Sequence, residues 1–111
     1  MDLEQAQTAM KIILHAGDAR VKTKQAVQAL KDFDTEEAKR LLAEAQEDIT
    51  KAHQVQTTAL QAESRGEDTE YSILFTHAQD TCMTVYSEMN LAEDLIALCE
   101  SIDHRFKALE K

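Results

Sequence analysis

The chain has no proline, no tryptophan and only two glycines, Gly17 and Gly66, in 111 residues. All-β folds and loop-rich scaffolds use proline and glycine as punctuation at their turns. Their scarcity excludes both and leaves a few long helices with short connections. Aromatic residues make up only 5% of the chain, so the core is expected to be thin and aliphatic. A single helical layer of this size is marginal on its own, which makes pairing with further copies an expectation.

An excess of basic charge is missing as well. Twelve Lys and Arg stand against 21 Asp and Glu, a net charge of -9. Such a chain repels phosphate backbones and anionic lipid, so nucleic acid is excluded as a ligand and a basic protein is the favoured kind of partner. No apolar run approaches the roughly 18 residues of a membrane span, so no direct membrane insertion is expected. The start, Met1-Asp2-Leu3-Glu4, lacks the basic segment of a secretory signal. Cys82 and Cys99 are 17 residues apart on one expected helix. That is about 25 Å, beyond disulfide reach. Two free thiols, read as small buried hydrophobes, fit a reducing cytoplasmic setting.

What is present is helical periodicity in three stretches, forming one all-α domain over residues 1–111: a three-helix antiparallel bundle with helices at about 2–31, 35–65 and 71–109. In the first stretch Leu3, Ala6, Met10, Ile13, Gly17, Val27 and Leu30 mostly step by three and four. Gly17 falls mid-helix, where glycine costs roughly 1 kcal/mol relative to alanine, and close backbone packing at Ala16-Gly17 is the expected reason. The second stretch opens on Asp34 with Glu37 three residues later, a capping-box pattern with Phe33 placed to staple the turn. Ala38, Leu41, Leu42, Ala45, Ile49, Ala52, Ala59 and Leu60 then form its stripe, and the polar segment Glu63 to Asp68 ends it.

The third stretch begins near Tyr71-Ser72 and carries two apolar stripes. Leu74, Ala78, Val85, Met89, Ala92, Ile96, Cys99 and Ile102 form one, and Ile73, Leu91, Leu95 and Leu98 the other. A helix apolar over so much of its circumference is buried on more than one side, so self-association through it is the economical expectation. Between Ile73 and Leu91 the second stripe reads His77, Asp80, Thr84, Ser87, polar groups where an apolar seam is expected. Buried polar groups are costly unless paired or used, which makes this stretch the main anomaly of the chain.

Of the four histidines, His15 and His104 have no supporting pattern. A di-iron bundle needs Glu three residues before a histidine, but Ile12, Thr50, Leu74 and Ser101 occupy those positions. No His-Glu-x-x-His zinc pattern or Gly-rich phosphate loop is present. His77 stands out because Asp80 shares its face one turn away. A carboxylate there orients an imidazole or holds a metal, and a neutral imidazole nitrogen is a competent nucleophile toward phosphorus. A His-Asp pair that fixes register in an oligomer core fits the spacing equally well, and the spacing does not decide between the two. A metal-dependent hydrolase fits poorly, because further ligands on the same face are lacking.

Four blocks add a resemblance. They are Ala16-Gly17-Asp18-Ala19-Arg20; Glu44-Ala45 with Ala52-His53-Gln54-Val55-Gln56-Thr57; Glu63 through Gly66-Glu67; and His77-Ala78-Gln79-Asp80 with Met83-Thr84. In this order and spacing, from about Ile12 to about Leu98, the chain resembles the lactose/cellobiose-type enzyme IIA of the bacterial sugar phosphotransferase system. The resemblance implies a phosphotransferase: a cytoplasmic phosphoryl carrier that accepts phosphate from HPr on His77 and passes it to a cysteine of a cognate IIB protein, for uptake of a lactose-, cellobiose- or chitobiose-type sugar. It further implies a homotrimer with the third helices on its axis. Asp80 of each copy would point there at a divalent cation, usually taken as Mg2+. Gln79, and more weakly Thr84 or Thr57, are candidates for bonding the phosphoryl oxygens; His53 and Gln56 are read as structural. One departure is Thr81-Cys82 in place of the usual His-Leu after Asp80. It motivates the alternative, a non-catalytic helical assembly or regulatory adaptor that retains the fold. The sugar itself is not legible, because in this system the membrane component selects it.

Overall fold

The computed structural model describes residues 3–66 and 72–110. Three helices follow one another: α1 (Leu3–Ala29), α2 (Thr35–Ser64) and α3 (Ile73–Leu109), with a 3-10 turn at Leu30–Asp32 between the first two. Among the described residues there is no strand, and no helix is long and apolar enough to cross a membrane. The helices lie side by side in a rod of 66 × 20 × 19 Å. The expected start at Tyr71 lies outside the described residues.

Local chemistry sets the helix ends. Asp34 caps α2 by accepting a hydrogen bond from the Glu37 N–H at 3.2 Å. The reciprocal half of the expected capping box is replaced. The Asp34 N–H donates to the Ala29 carbonyl, and the Glu37 carboxylate instead accepts from Arg40 at 2.8 Å. Phe33 takes up the left-handed conformation at φ 56, a position glycine usually fills, and stays 44% exposed. Ser72 caps α3 by accepting from the Phe75 N–H at 3.1 Å.

The core consists of Ala9, Ile12, Ala16, Ala19 and Ala26 from α1; Ala38, Leu41, Leu42, Ala45, Ile49 and Ala52 from α2; and Ala78, Cys82, Val85, Met89, Ala92, Ile96 and Cys99 from α3. Nine of these eighteen are alanines, so the axes approach closely. In α2 and α3 the buried residues follow the main stripes the spacing marks and are joined by Cys82, but Ala59 and Leu74 are half-buried, Leu60 is 40% and Ile102 37% exposed, and Ile73, Leu91 and Leu98 of the second α3 stripe face outward in the single subunit.

The first helix differs. Its buried face lies one position away from the expected one, and Leu3 and Met10, assigned inward, are 74% and 44% exposed. Two apolar stripes run along α1, and the alanine-rich one faces the core because only small residues fit between axes this close. The larger residues are left outside. Gly17 has no atom within 4 Å of where a Cβ would stand, whereas Ala16 beside it is fully buried, so within this subunit the close packing expected at Ala16-Gly17 falls on Ala16.

Cross-helix polar contacts fix the register. The Lys22 ammonium of α1 donates to Asp48 of α2 at 2.6 Å, Arg20 grips Glu88 of α3 with two hydrogen bonds at 3.0 and 3.3 Å, and Lys39 of α2 reaches Glu100 at 2.7 Å. The Cys99 thiol points at the Leu30 carbonyl at 3.9 Å. These pairings set α1 parallel to α3 and α2 antiparallel to both.

Candidate functional site

α3 places the polar residues. With Ser72 as cap, His77 is the fifth residue of the helix. Side chains of a helix lean toward its N-terminus, so the imidazole lies alongside the first turn, where the helix dipole favours negative charge. His77 and Asp80 are both exposed and share one face, being three positions apart. Among the described residues neither side chain has a hydrogen-bond or ion-pair partner. The imidazole is therefore both free to react and accessible.

The neighbouring hydroxyls are turned inward along the backbone. Thr81 donates to the His77 carbonyl at 2.8 Å, and Thr84 donates to the carbonyls of Asp80 and Thr81. These bonds are the usual way for a mid-helix threonine to satisfy its hydroxyl. Gln79, two positions after His77, points to another side of α3 and is half-buried, so the single subunit does not bring it to the imidazole. Thr57 is half-buried and His53 exposed on α2. Gln56 is buried, and among the described residues its Oε1 has no hydrogen-bond partner.

Among the described residues no three His, Cys, Asp or Glu side chains converge on a point that would hold a metal. Asp80 is one exposed carboxylate. Alone it supplies too few oxygen ligands to make a divalent-cation site. Cys82 and Cys99 are buried and unbridged. Burial pushes the Cys82 thiol up from its ordinary value, away from the nucleophilic thiolate.

The outer face of α3 beside this site keeps Ile73, Leu91 and Leu98 at 78%, 60% and 57% exposure, flanking the polar stretch His77-Asp80-Thr84-Ser87 on both sides. On the other side of the helix, a groove of about 460 Å3 runs between α2 and α3. It has Leu42, Met89 and Ile96 in its lining and Lys39 and Glu100 among its polar residues. It begins about 18 Å along the helix from His77 and takes no part in the site.

The His77 imidazole, exposed on the flank of the helical rod, is open to a partner protein. The comparisons with known proteins agree. The family model described as the PTS system, lactose/cellobiose-specific IIA subunit, matches residues 7–100. The lichenan-specific phosphotransferase enzyme IIA component of Bacillus subtilis is 40% identical over 102 residues, 92% of this chain and 93% of that protein. A lactose-specific EIIA component of Staphylococcus epidermidis is 44% identical over 87 residues, 78% of this chain and 84% of its own length. The crystal structure of the cellobiose-specific enzyme IIA from Bacillus anthracis superposes with a TM-score of 0.88 at 36% identity, covering 94% of this chain and 95% of the other.

The chain belongs to the lactose/cellobiose-specific IIA family of the phosphotransferase system. It is a phosphotransferase component, a phosphoryl carrier in sugar uptake, and this membership favours the carrier over the non-catalytic assembly.

Proposed function

We propose that His77 is the residue that carries the phosphoryl group, taken from HPr and handed to a cysteine of a cognate IIB protein in the cytoplasm. The observation that supports this most is the exposed, partner-free imidazole inside the family match. In the first step a lone pair on an imidazole nitrogen attacks phosphorus, and the bond to the donor breaks as the N–P bond forms. In the second the IIB thiolate attacks, the S–P bond forms, and His77 recovers its free nitrogen. There is little covalent work for other residues, so positioning and charge stabilisation dominate. The first turn of α3 supplies part of that stabilisation, since its dipole opposes the charge of the phosphoryl group. Gln79 is a weaker candidate for the same task.

The copies assemble as a homotrimer with α3 towards the common axis. The exposed leucines of α3 support assembly, and the number three rests on the family. Asp80 from each copy would then hold a divalent cation, Mg2+ being the expected one, whose charge would offset the repulsion among three carboxylates. The related proteins carry names referring to lichenan, lactose and cellobiose, so the sugar served is a β-linked disaccharide or oligosaccharide of that kind, selected by another component.

The test is incubation with enzyme I, the HPr of the same organism and phosphoenolpyruvate. An acid-labile phosphate should appear on the wild-type chain and be absent from His77→Ala. A wild-type chain that stays unmodified would overturn the reading.

A further inference from the structure

The outward face of α1 is apolar. Leu3, Met10, Leu14 and Val21 are exposed and share one side of the helix at steps of seven, four and seven. Its place relative to His77 follows from one ion pair between two parallel helices. Arg20 of α1 meets Glu88 of α3, and the Leu30–Cys99 contact gives the same register. Eleven residues make close to three whole turns, so eleven positions back each helix presents the same side again, at Ala9 and His77. His77 thus stands on the edge of α3 that borders α1. Ala9 is buried, and Met10 next to it turns outward level with the imidazole. Along the rod from there, Leu3 lies about 9 Å to one side, Leu14 about 8 Å to the other, and Val21 about 18 Å away.

A protein that passes a phosphoryl group to His77 has to come within bonding distance of the imidazole. A specific protein contact covers roughly 800 Å2 on each partner, a disc with a radius of about 16 Å. Centred on His77, that disc takes in Leu3, Met10 and Leu14 and ends before Val21. Charge is sparse within it. Between Ile73 and Ser87 the only charged residue of α3 is Asp80, and Glu4 and Lys11 each follow a stripe residue by one position, about 100° round α1. A partner seated here is held by apolar burial more than by ion pairs.

We infer that Leu3, Met10 and Leu14 of α1 form the platform on which the phosphoryl-donor protein seats as it transfers to His77. The donor that fits presents apolar side chains around its own phosphorylated residue. The inference rests on His77 being the acceptor and adds the surface that recognises the donor.

Single-turnover transfer from the phosphorylated HPr of the same organism to the full chain tests this surface. Met10→Glu and Leu14→Glu should each raise the half-saturating concentration of phosphorylated HPr at least tenfold, with the maximal rate kept within about threefold. Val21→Glu, at an exposed position beyond the disc, should match the wild type in both. Circular dichroism and sedimentation equilibrium should not tell the variants from the wild type. Unchanged half-saturation in Met10→Glu and Leu14→Glu overturns the platform. An equal loss in Val21→Glu does so too, by making the effect one of charge alone. Variants that fall to a smaller oligomer also overturn it, and assign the stripe to a second copy. A wild type that HPr does not phosphorylate overturns the function proposed for His77, and the platform falls with it.

Discussion

The Thr81 hydroxyl donates to the His77 carbonyl oxygen at 2.8 Å, one helical turn back. The residue that departs from the usual family motif is thus tied to the backbone of the proposed phosphoryl-carrying histidine and spends its only proton there. The bond satisfies the hydroxyl and leaves the imidazole untouched.

Thr81→Val, which keeps the shape and removes the hydroxyl, should therefore leave the rate of His77 phosphorylation within about threefold of wild type. Single-turnover transfer from phosphorylated HPr measures it. A loss beyond tenfold would assign the hydroxyl a part in the transfer.

The Lys22–Asp48 pair makes a pH prediction. The hydrogen bond to Asp48 holds the Lys22 ammonium above its ordinary value of 10.5, with Coulombic help from Asp48, Glu44 and Asp18 against the cost of desolvation. The folded protein thus binds this proton more tightly than the unfolded chain does. The stabilisation is complete below the ordinary lysine value and is lost as pH rises through the folded one. Between about pH 9.5 and pH 12 the wild-type Tm should fall more steeply than that of Lys22→Met. Parallel slopes in thermal melts would show that the pair contributes nothing.

Phe33 pays for a left-handed backbone at φ 56 and ψ 27 while nearly half exposed. Replacing it with glycine removes the strain between Cβ and the backbone, and a small gain survives the added freedom of the unfolded chain. Phe33→Gly should stabilise by about 1 kcal/mol, raising Tm by about 4 °C. A lower Tm in calorimetry would mean that the ring's contacts outweigh the strain.

Among the described residues the buried Gln56 side-chain carbonyl oxygen has no donor, and an unsatisfied buried acceptor costs on the order of 1 kcal/mol or more. Gln56→Met keeps length and removes the polar atoms, so its urea midpoint should rise with the m-value unchanged. A lower midpoint would show that the amide is satisfied in solution, by a bound water for instance.

The second helix was the most legible in the sequence. It has one clear stripe, Ala38 to Ala52, and an aspartate cap, and these left one way to turn it. α1 was harder, because Leu3, Met10 and Leu14 on one side competed with Ala9, Ile12 and Ala16 on the other. Size suggests that the larger set lies inside, but close axes admit only the smaller one. The candidate site was legible as a shared face, since steps of three and four put His77 and Asp80 together whatever the partners. What the periodicity did not carry was the direction of the hydroxyls. Thr81 and Thr84 bond backwards to carbonyls, a choice made by local rotamers.

An alanine interior has a consequence for alignment. Burying a methyl group costs no side-chain entropy, but rows of methyl groups make smooth cylinders, and a helix can slide one turn along its neighbour and meet much the same surface. Charged pairs between the helices act against this as detents. Lys22 with Asp48, Arg20 with Glu88 and Lys39 with Glu100 come into contact at a single setting of the three rods. Each pair is worth little as adhesion, yet together they single out one of several nearly equivalent alignments. That alignment fixes the height of His77 along the rod, and with it where the proposed phosphoryl site stands.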